Sequence, residues 1–261
     1  MKNTILTIAL IGWSSSCAHA QLVAHYPFDT GFDDVSGLGN NGTAEGGAAL
    51  SADVPPGFSG QSLLLGDGQY VSVPHGDSLN MTETMTVAAW VKPVGVAWEG
   101  LVAKNPSEGS ADNHAGNYEI RIENGSNQLN FLYQQGGVDD TAFPFSDNPL
   151  AVISADTWTH VAVTVEQIGD EPGEVKYYTN GVLADVKPIA VGFGATNTNP
   201  LYIGTRADLF TQWNGNVDDL RIYNSVLSEV EIGALVPEPS SAMLVLFGLF
   251  SFGLRRRRSS L

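Results

Sequence analysis

The sequence predicts an all-β chain folded as a two-sheet antiparallel sandwich, closed by a short C-terminal helix. Three observations carry this expectation. Short runs rich in Val, Ile, Thr, Tyr and Trp recur along the chain, and several alternate as a half-buried strand does. Thus WTHVAVTVE, from Trp158, sets Val161, Val163 and Val165 on one face. Turn chemistry punctuates these runs: 29 glycines imply many tight turns, and Asn180-Gly181 is the strongest hairpin signal present. LSEVEIGAL carries a helix start, because Ser228 and Glu231 have the spacing of a capping box.

Leu22 to Phe28 is the first predicted strand, with Pro27 near its end, as a sheet edge tolerates. A glycine- and Asx-rich loop follows. Gln61 to Val73 reads as two strands paired around Gly66-Asp67-Gly68, and Met85 to Val91 as a buried strand. The segment 105–116 is a polar surface insertion. Asn117 to Glu123 and Gln128 to Tyr133 form a hairpin, whereas 134–157 has a weak pattern and reads as a long loop. Trp158 to Glu166 precedes the hairpin Glu174 to Thr179 and Val182 to Lys187. Pro200 to Gly204 leads into the closing strand, WNGNVDDLRIY, from Trp213. Strict alternation there sends Val217, Asp219, Arg221 and Tyr223 one way, and Asp218, Leu220 and Ile222 the other. No internal repeat or second domain is visible.

Residues 21–236 hold 7 Lys and Arg against 27 Asp and Glu, a net of −20, against −16 for the whole 261-residue chain. That charge excludes nucleic acid and anionic membrane as partners of the domain, since phosphate contacts need cations. It is compatible with calcium. The ends read as addresses. Lys2, the apolar run Ile5 to Trp13 and Ala18-His19-Ala20 make residues 1–20 a secretory signal peptide. Cys17, the single cysteine, lies inside it, so an exported chain would have no disulfide. The lipoprotein alternative at Cys17 is weak, because Ser14, Ser15 and Ser16 precede it.

The strand-and-helix pair NGNVDDLRIY and LSEVEI resembles the end of laminin-G-like, concanavalin A-like jelly-roll domains. The likeness recurs at Phe28-Asp29, at Asp34-Val35-Ser36-Gly37, at Asn41-Gly42, at Trp90-Val91-Lys92-Pro93 and in VKYYTNGVL, and it covers residues 21–235. The tail, 236–261, joins Pro237-Glu238-Pro239 to an apolar run and to Arg255, Arg256, Arg257 and Arg258. That order resembles the PEP-CTERM sorting signal of Gram-negative bacteria. The resemblance implies export, recognition by an exosortase, and a place at the cell surface or in the extracellular matrix. Thirteen apolar residues span ~20 Å as a helix, short of a bilayer core, so contact with the inner membrane would be transient. A plain membrane anchor is the alternative.

These residues suggest four chemistries. Glu119-Ile-Arg-Ile-Glu123 resembles the Glu-x-Asp-x-Glu strand of retaining glucanases. Arg121 replaces the middle carboxylate, however, and a cation there favours charge where a general acid must hold its proton. His25, His75, His114 and His160 lack zinc-enzyme spacing. Calcium, as a structural ion, is expected at Asp29, Asp34, Asn40, Asn41, Asp218 and Asp219, which supply the oxygens a hard cation needs. The same residues are equally at home in Asx turns without an ion. For a glycan, Trp98, Tyr133, Trp213 and Asn214 are the places to look first, with Phe143, Phe145 and Phe210 as further loop aromatics. Folding of these rings onto the sandwich is the competing expectation. The reading is therefore a surface-sorted, non-catalytic module binding extracellular polysaccharide or matrix. A ligand-free structural matrix protein is the alternative, and a glycosidase of the same fold is the remotest.

Overall fold

A computed structural model describes residues 21–237 except 96, 105–115, 136–139, 143–145, 191 and 195. Residues 1–20, read above as a signal peptide, Phe143, Phe145, and the tail with Glu238, Pro239 and Arg255 to Arg258 lie outside the described residues. The strands are β1 Leu22–Tyr26, β2 Thr43–Glu45, β3 Ala49–Ser51, β4 Ser62–Leu65, β5 Tyr70–Val73, β6 Thr84–Pro93, β7 Glu99–Lys104 and β8 Tyr118–Ile122. After them come β9 Leu129–Gln135, β10 Asp140–Ala142, β11 Thr159–Glu166, β12 Gly173–Thr179, β13 Val182–Ile189, β14 Leu201–Ile203 and β15 Gly215–Tyr223. The helix α1 is Glu229–Ala234. No helix among the described residues is long and apolar enough to cross a membrane.

Two antiparallel sheets face one another. The eight-stranded sheet runs β13-β12-β11-β6-β15-β4-β3, with β1 added on β15 beside β4; the seven-stranded sheet runs β10-β9-β8-β7-β14-β5-β2. Between them lies one apolar core, with Val87, Ala89, Val91, Val161, Val163 and Val165 on one side and Ile120, Ile122, Phe131, Leu201 and Ile203 on the other. Burying each large side chain contributes ~1.5–3 kcal/mol, so this layer supplies most of the stabilisation. α1 covers the opposite face of the eight-stranded sheet, where Leu227 and Ile232 pack on Ala88, Ala162, Tyr178 and Tyr223. Its predicted capping box is complete: the Ser228 hydroxyl accepts from the Glu231 backbone, and the Glu231 carboxylate accepts from the Ser228 backbone.

The predicted hairpins at Asn180-Gly181 and Asn124–Asn127 both form. Asn180 and Gly181 have φ of 49° and 78°, as a two-residue turn that follows strand twist requires. Three expectations need correction. The strands around Gly66-Asp67-Gly68 do not pair: β4 lies in the eight-stranded sheet and β5 in the seven-stranded one. Leu63 and Leu65 from one sheet, and Val71 and Val73 from the other, enter the same core, so the turn arches over that core. β2 lies in the stretch read as a loop, and β3 and the interior strand β7 lie in stretches given no element; all three are ordered by their neighbours rather than by their own pattern. Finally, β15 does not alternate strictly. Asp218 pairs with Trp90 and Arg221 with Ala88, so three steps on β15 oppose two on β6. Asp219 is the extra residue of this bulge, with φ of 48°. The slip puts Val217, Leu220 and Ile222 together in the core and leaves Asp218, Arg221 and Tyr223 on the other face.

Candidate functional site

The oxygens expected to hold calcium are largely spent on the protein itself. Asp34 accepts four hydrogen bonds. Its Oδ1 takes the backbone N–H of His25 at 2.9 Å and of Ser36 at 2.8 Å; its Oδ2 takes the Ser36 hydroxyl at 2.7 Å and the Asn40 N–H at 3.0 Å. Burial alone would raise the Asp34 pKa, but these donors outweigh it and hold the carboxyl below its usual range. Asn40 gives its amide N–H to the Val23 carbonyl, and Asn41 Oδ1 accepts from the Asp34 backbone. Asp219 Oδ1 is shared by His25 Nε2 at 2.7 Å and by Nε and Nη2 of Arg221 at 3.0 Å. Asp29 is exposed and Asp218 is buried. Oxygens of Asp34, Asn41 and Asp219 are thus engaged within the protein, and among the described residues no group of three or more His, Cys, Asp or Glu is placed to hold a metal. What they build is a hydrogen-bonded loop and a bulge.

Asp218 sits on a polar strip across the covered face of the eight-stranded sheet. His160 and Asp218 both pair with Trp90 in register, and the His160 and Trp90 rings meet edge to face at 5.6 Å. Burial, then the charges of Asp219 and Asp29, push the Asp218 carboxyl up to about 7. Burial pushes the His160 imidazole down to about 4. Both groups are neutral there at mildly acid pH, as desolvated charges require.

The outer face of the seven-stranded sheet has different chemistry. Arg121 on β8 lies between two glutamates, with Nη1 3.6 Å from Glu119 and Nη2 3.3 Å from Glu123; Asn130 Nδ2 on β9 donates to the same Glu123 oxygen at 3.1 Å. Glu119 has no exposed surface. The Arg121 guanidinium carries the Trp98 ring, its central carbon 4.5 Å from the ring centroid. Beside it, residues 205–214 cross the sheet through Thr211, whose backbone and hydroxyl oxygens occupy the space that a side chain at Gly100 would fill. On that crossing Arg206 makes a two-pronged bond to Asp208 and lies 4.9 Å from the Phe210 ring, which is 63% exposed. Further along the same face Tyr70 on β5 and Tyr202 on β14, both half-buried, tilt together at 5.8 Å. Tyr202 pairs laterally with Ser72 and Ala103, and Ala103 with Glu119, so this row leads from the tyrosines to the Arg121 cluster.

Of the residues expected to meet a ligand, Trp98 is half-buried on this cluster and Asn214 is exposed near it. Tyr133 and Trp213 are both core residues with no exposed surface, and the Tyr133 hydroxyl donates to the Ala190 carbonyl. Neither ring has a face free for stacking. The Asn214 N–H donates to Glu99 Oε2 at 2.6 Å. Burial, with the charge of Asp67, raises that carboxyl to about 7 against the pull of this N–H. Sequence reading missed Tyr70, Tyr202, Arg206 and Asn130. An aromatic at alternate positions of a strand gives no sign of which sheet face is open.

Comparisons with known proteins agree on the fold. Adhesion G-protein coupled receptor V1 of Danio rerio is 20% identical over 182 residues, which is 68% of this chain and 3% of the receptor. The chain thus spans a small fraction of that relative. Domain 4 of AbnA, a GH43 extracellular arabinanase from Geobacillus stearothermophilus solved with arabinotriose, superposes with a TM-score of 0.63 at 22% identity, covering 84% of this chain and 99% of that one. The binding domain of Paraclostridial Mosquitocidal Protein 1 gives 0.60 at 18%, over 82% and 51%. A structure of botulinum neurotoxin type C, whose cell entry depends on two ganglioside molecules, gives 0.59 at 18%, over 82% and 50%. At such identities the shared property is the sandwich. The Laminin_G_3 profile matches residues 65–233, from the end of β4 into α1, and this chain therefore belongs to that family of the concanavalin A-like lectin/glucanases superfamily.

Proposed function

We propose that this chain is an exported, non-catalytic module that binds an extracellular carbohydrate on the outer face of its seven-stranded sheet. The observation that carries the reading is the set of rings on or beside that face: Trp98 on Arg121, Phe210 beside Arg206, and the Tyr70–Tyr202 pair. Sugars present C–H faces that stack on such rings, while amides and charged groups between them take hydroxyls. The arabinotriose complex of one similar fold, and the dependence of another on two ganglioside molecules for cell entry, support a glycan as the ligand class. Catalysis is left out because Glu119 is enclosed and both strand glutamates pair with one guanidinium, whereas a retaining glycosidase needs two accessible carboxyls ~5–5.5 Å apart. Calcium forms no part of the reading. Export by the signal peptide, exosortase sorting through the tail, and residence at the cell surface or in the matrix are proposed from residues 1–20 and 236–261.

The test is isothermal titration of residues 21–236 against a panel of neutral and acidic polysaccharides. Binding that is lost in Trp98→Ala and Tyr202→Ala, with cooperative unfolding retained, supports the proposal. Binding to no polysaccharide, together with self-association or capture by co-sorted surface proteins, would favour the matrix-protein alternative.

A further inference from the structure

Lys104 closes β7 with no exposed surface. Its Nζ meets the Asn199 carbonyl at 2.7 Å, His75 Nδ1 at 3.3 Å and the side-chain carbonyl of Asn197 at 3.4 Å. An ammonium buried against carbonyls and an imidazole is costly, and burial lowers this amine to about 8, with the charge of Asp77 opposing. The surroundings supply what an attacking amine needs. His75 Nε2 is 3.3 Å from Asp77 Oδ1, an arrangement that leaves Nδ1 as the acceptor facing Lys104. The Asn197 amide is held on three sides. Its Nδ2 donates to the Lys104 carbonyl at 3.0 Å, its Oδ1 accepts the Asn199 N–H at 3.1 Å, and its backbone is clamped by both ends of the Asn80 amide at 3.1 and 3.3 Å.

We propose that Lys104 and Asn197 form an intramolecular isopeptide bond, with His75 as the base. The neutral Lys104 Nζ attacks the Asn197 side-chain carbonyl carbon and transfers a proton to His75 Nδ1. Negative charge gathers on Oδ1, where the Asn199 N–H already points, as an oxyanion donor does. His75 returns the proton to Nδ2, the Cγ–Nδ2 bond breaks, and one ammonia leaves as the Nζ–Cγ amide forms. No oxidant, reductant or co-reactant enters. Desolvation of the lysine and a positioned base are the two activations that amine nucleophiles use. The bond would tie the end of β7 to the segment entering β14, in a chain whose single cysteine is Cys17.

Intact-mass measurement of the purified protein, with its termini fixed by peptide mapping, tests the proposal. The expected result is a mass lower than the sequence mass by one ammonia, together with a branched peptide joining Lys104 to Asn197. Lys104→Arg and Asn197→Ala should both return to the sequence mass. Asn197→Asp should close the same link with loss of water instead. His75→Ala should lower the linked fraction at least tenfold at early times while unfolding stays cooperative. A wild-type protein that keeps its sequence mass and a free Lys104 peptide after days at pH ~8.5, well below the ordinary lysine value of ~10.4 but above this amine's value of about 8, overturns the proposal.

Discussion

Asp219 Oδ1 lies 2.7 Å from His25 Nε2, so that a side chain displaced by a bulge in the last strand fastens the first strand. The two strands pair here, with His25 opposite Arg221, and Arg221 also holds Asp219 at 3.0 Å. The bulge puts Asp219 in the left-handed region, which Asp and Asn tolerate better than other non-glycine residues. Asp219→Ala keeps the strained backbone and removes both partners. It should cost about 2–4 kcal/mol in urea unfolding, from one strained residue and one half-buried charged network. Asp219→Asn should lose less, because it keeps the turn preference.

Asp218 and Glu99 make stability depend on pH in a direction opposite to that of a salt-bridged acid. Burial is the first cause in each case, and each is raised to about 7 in the fold, against ~4 for ordinary carboxyls. Below pH ~4 both states hold the proton and nothing is lost; between ~4 and ~7 the unfolded chain ionises first and stability falls. Asp218→Asn and Glu99→Gln keep an oxygen for the Asp219 and Asn214 N–H groups. Each should therefore flatten the decline in melting midpoint between pH 5 and pH 8. A variant whose midpoint follows the wild-type slope would show that its carboxyl is ionised throughout.

How far these features are legible in the sequence depends on whether their cause is local. The Asn180-Gly181 turn and the Ser228–Glu231 capping box follow from residues a few positions apart, and both are present. The bulge at Asp219 comes from pairing β15 with β6, so alternation along β15 alone groups Val217 with Arg221 and Asp218 with Leu220, the reverse of what the sheet shows. Trp213 precedes a strand and reads as a loop aromatic, yet the chain turns its ring into the core. Tyr202 sits in a three-residue strand, too short for a pattern, and only its neighbour Tyr70 in the sheet marks it as part of a surface. The acidic and amide residues of the first loop are legible as a cluster. Their division into donors and acceptors for one another is set by the loop's path, which composition does not encode.

Asp34 should prove structural in its own right. Its carboxylate receives three backbone N–H groups and one hydroxyl. Asp34→Ala should lower stability by roughly 2–4 kcal/mol, since hydrogen bonds to a charged acceptor contribute ~1.5–3 kcal/mol each and water replaces some of them. The loss should be the same with calcium or with chelator. The depressed pKa adds a pH signature: its stabilisation is complete above the ordinary carboxyl range and disappears as pH falls through the lowered folded value. A calcium-dependent midpoint in the wild type that vanishes in Asp34→Ala would show that the loop gives up its internal bonds to an ion.

Gly100 offers a way to perturb the proposed glycan face without touching its rings. A Cβ there would approach the Thr211 backbone and hydroxyl oxygens at 2.6 Å, closer than carbon and oxygen pack, so residues 205–214 must shift. Those residues carry Arg206 and Phe210, and the Thr211 hydroxyl reaches Glu119 Oε1 at 3.5 Å. Overpacking of this kind costs about 1–3 kcal/mol. Gly100→Ala should thus weaken polysaccharide binding about tenfold or more, the equivalent of ~1.4 kcal/mol, by misplacing Phe210 while leaving Trp98 on Arg121. Phe210→Ala in the same assay separates the two effects. If the loop acts through its ring, the double variant should bind no more weakly than Phe210→Ala alone. Additive losses would mean that Gly100→Ala acts on Trp98 and β7 instead, and that Phe210 contributes independently of where the crossing lies.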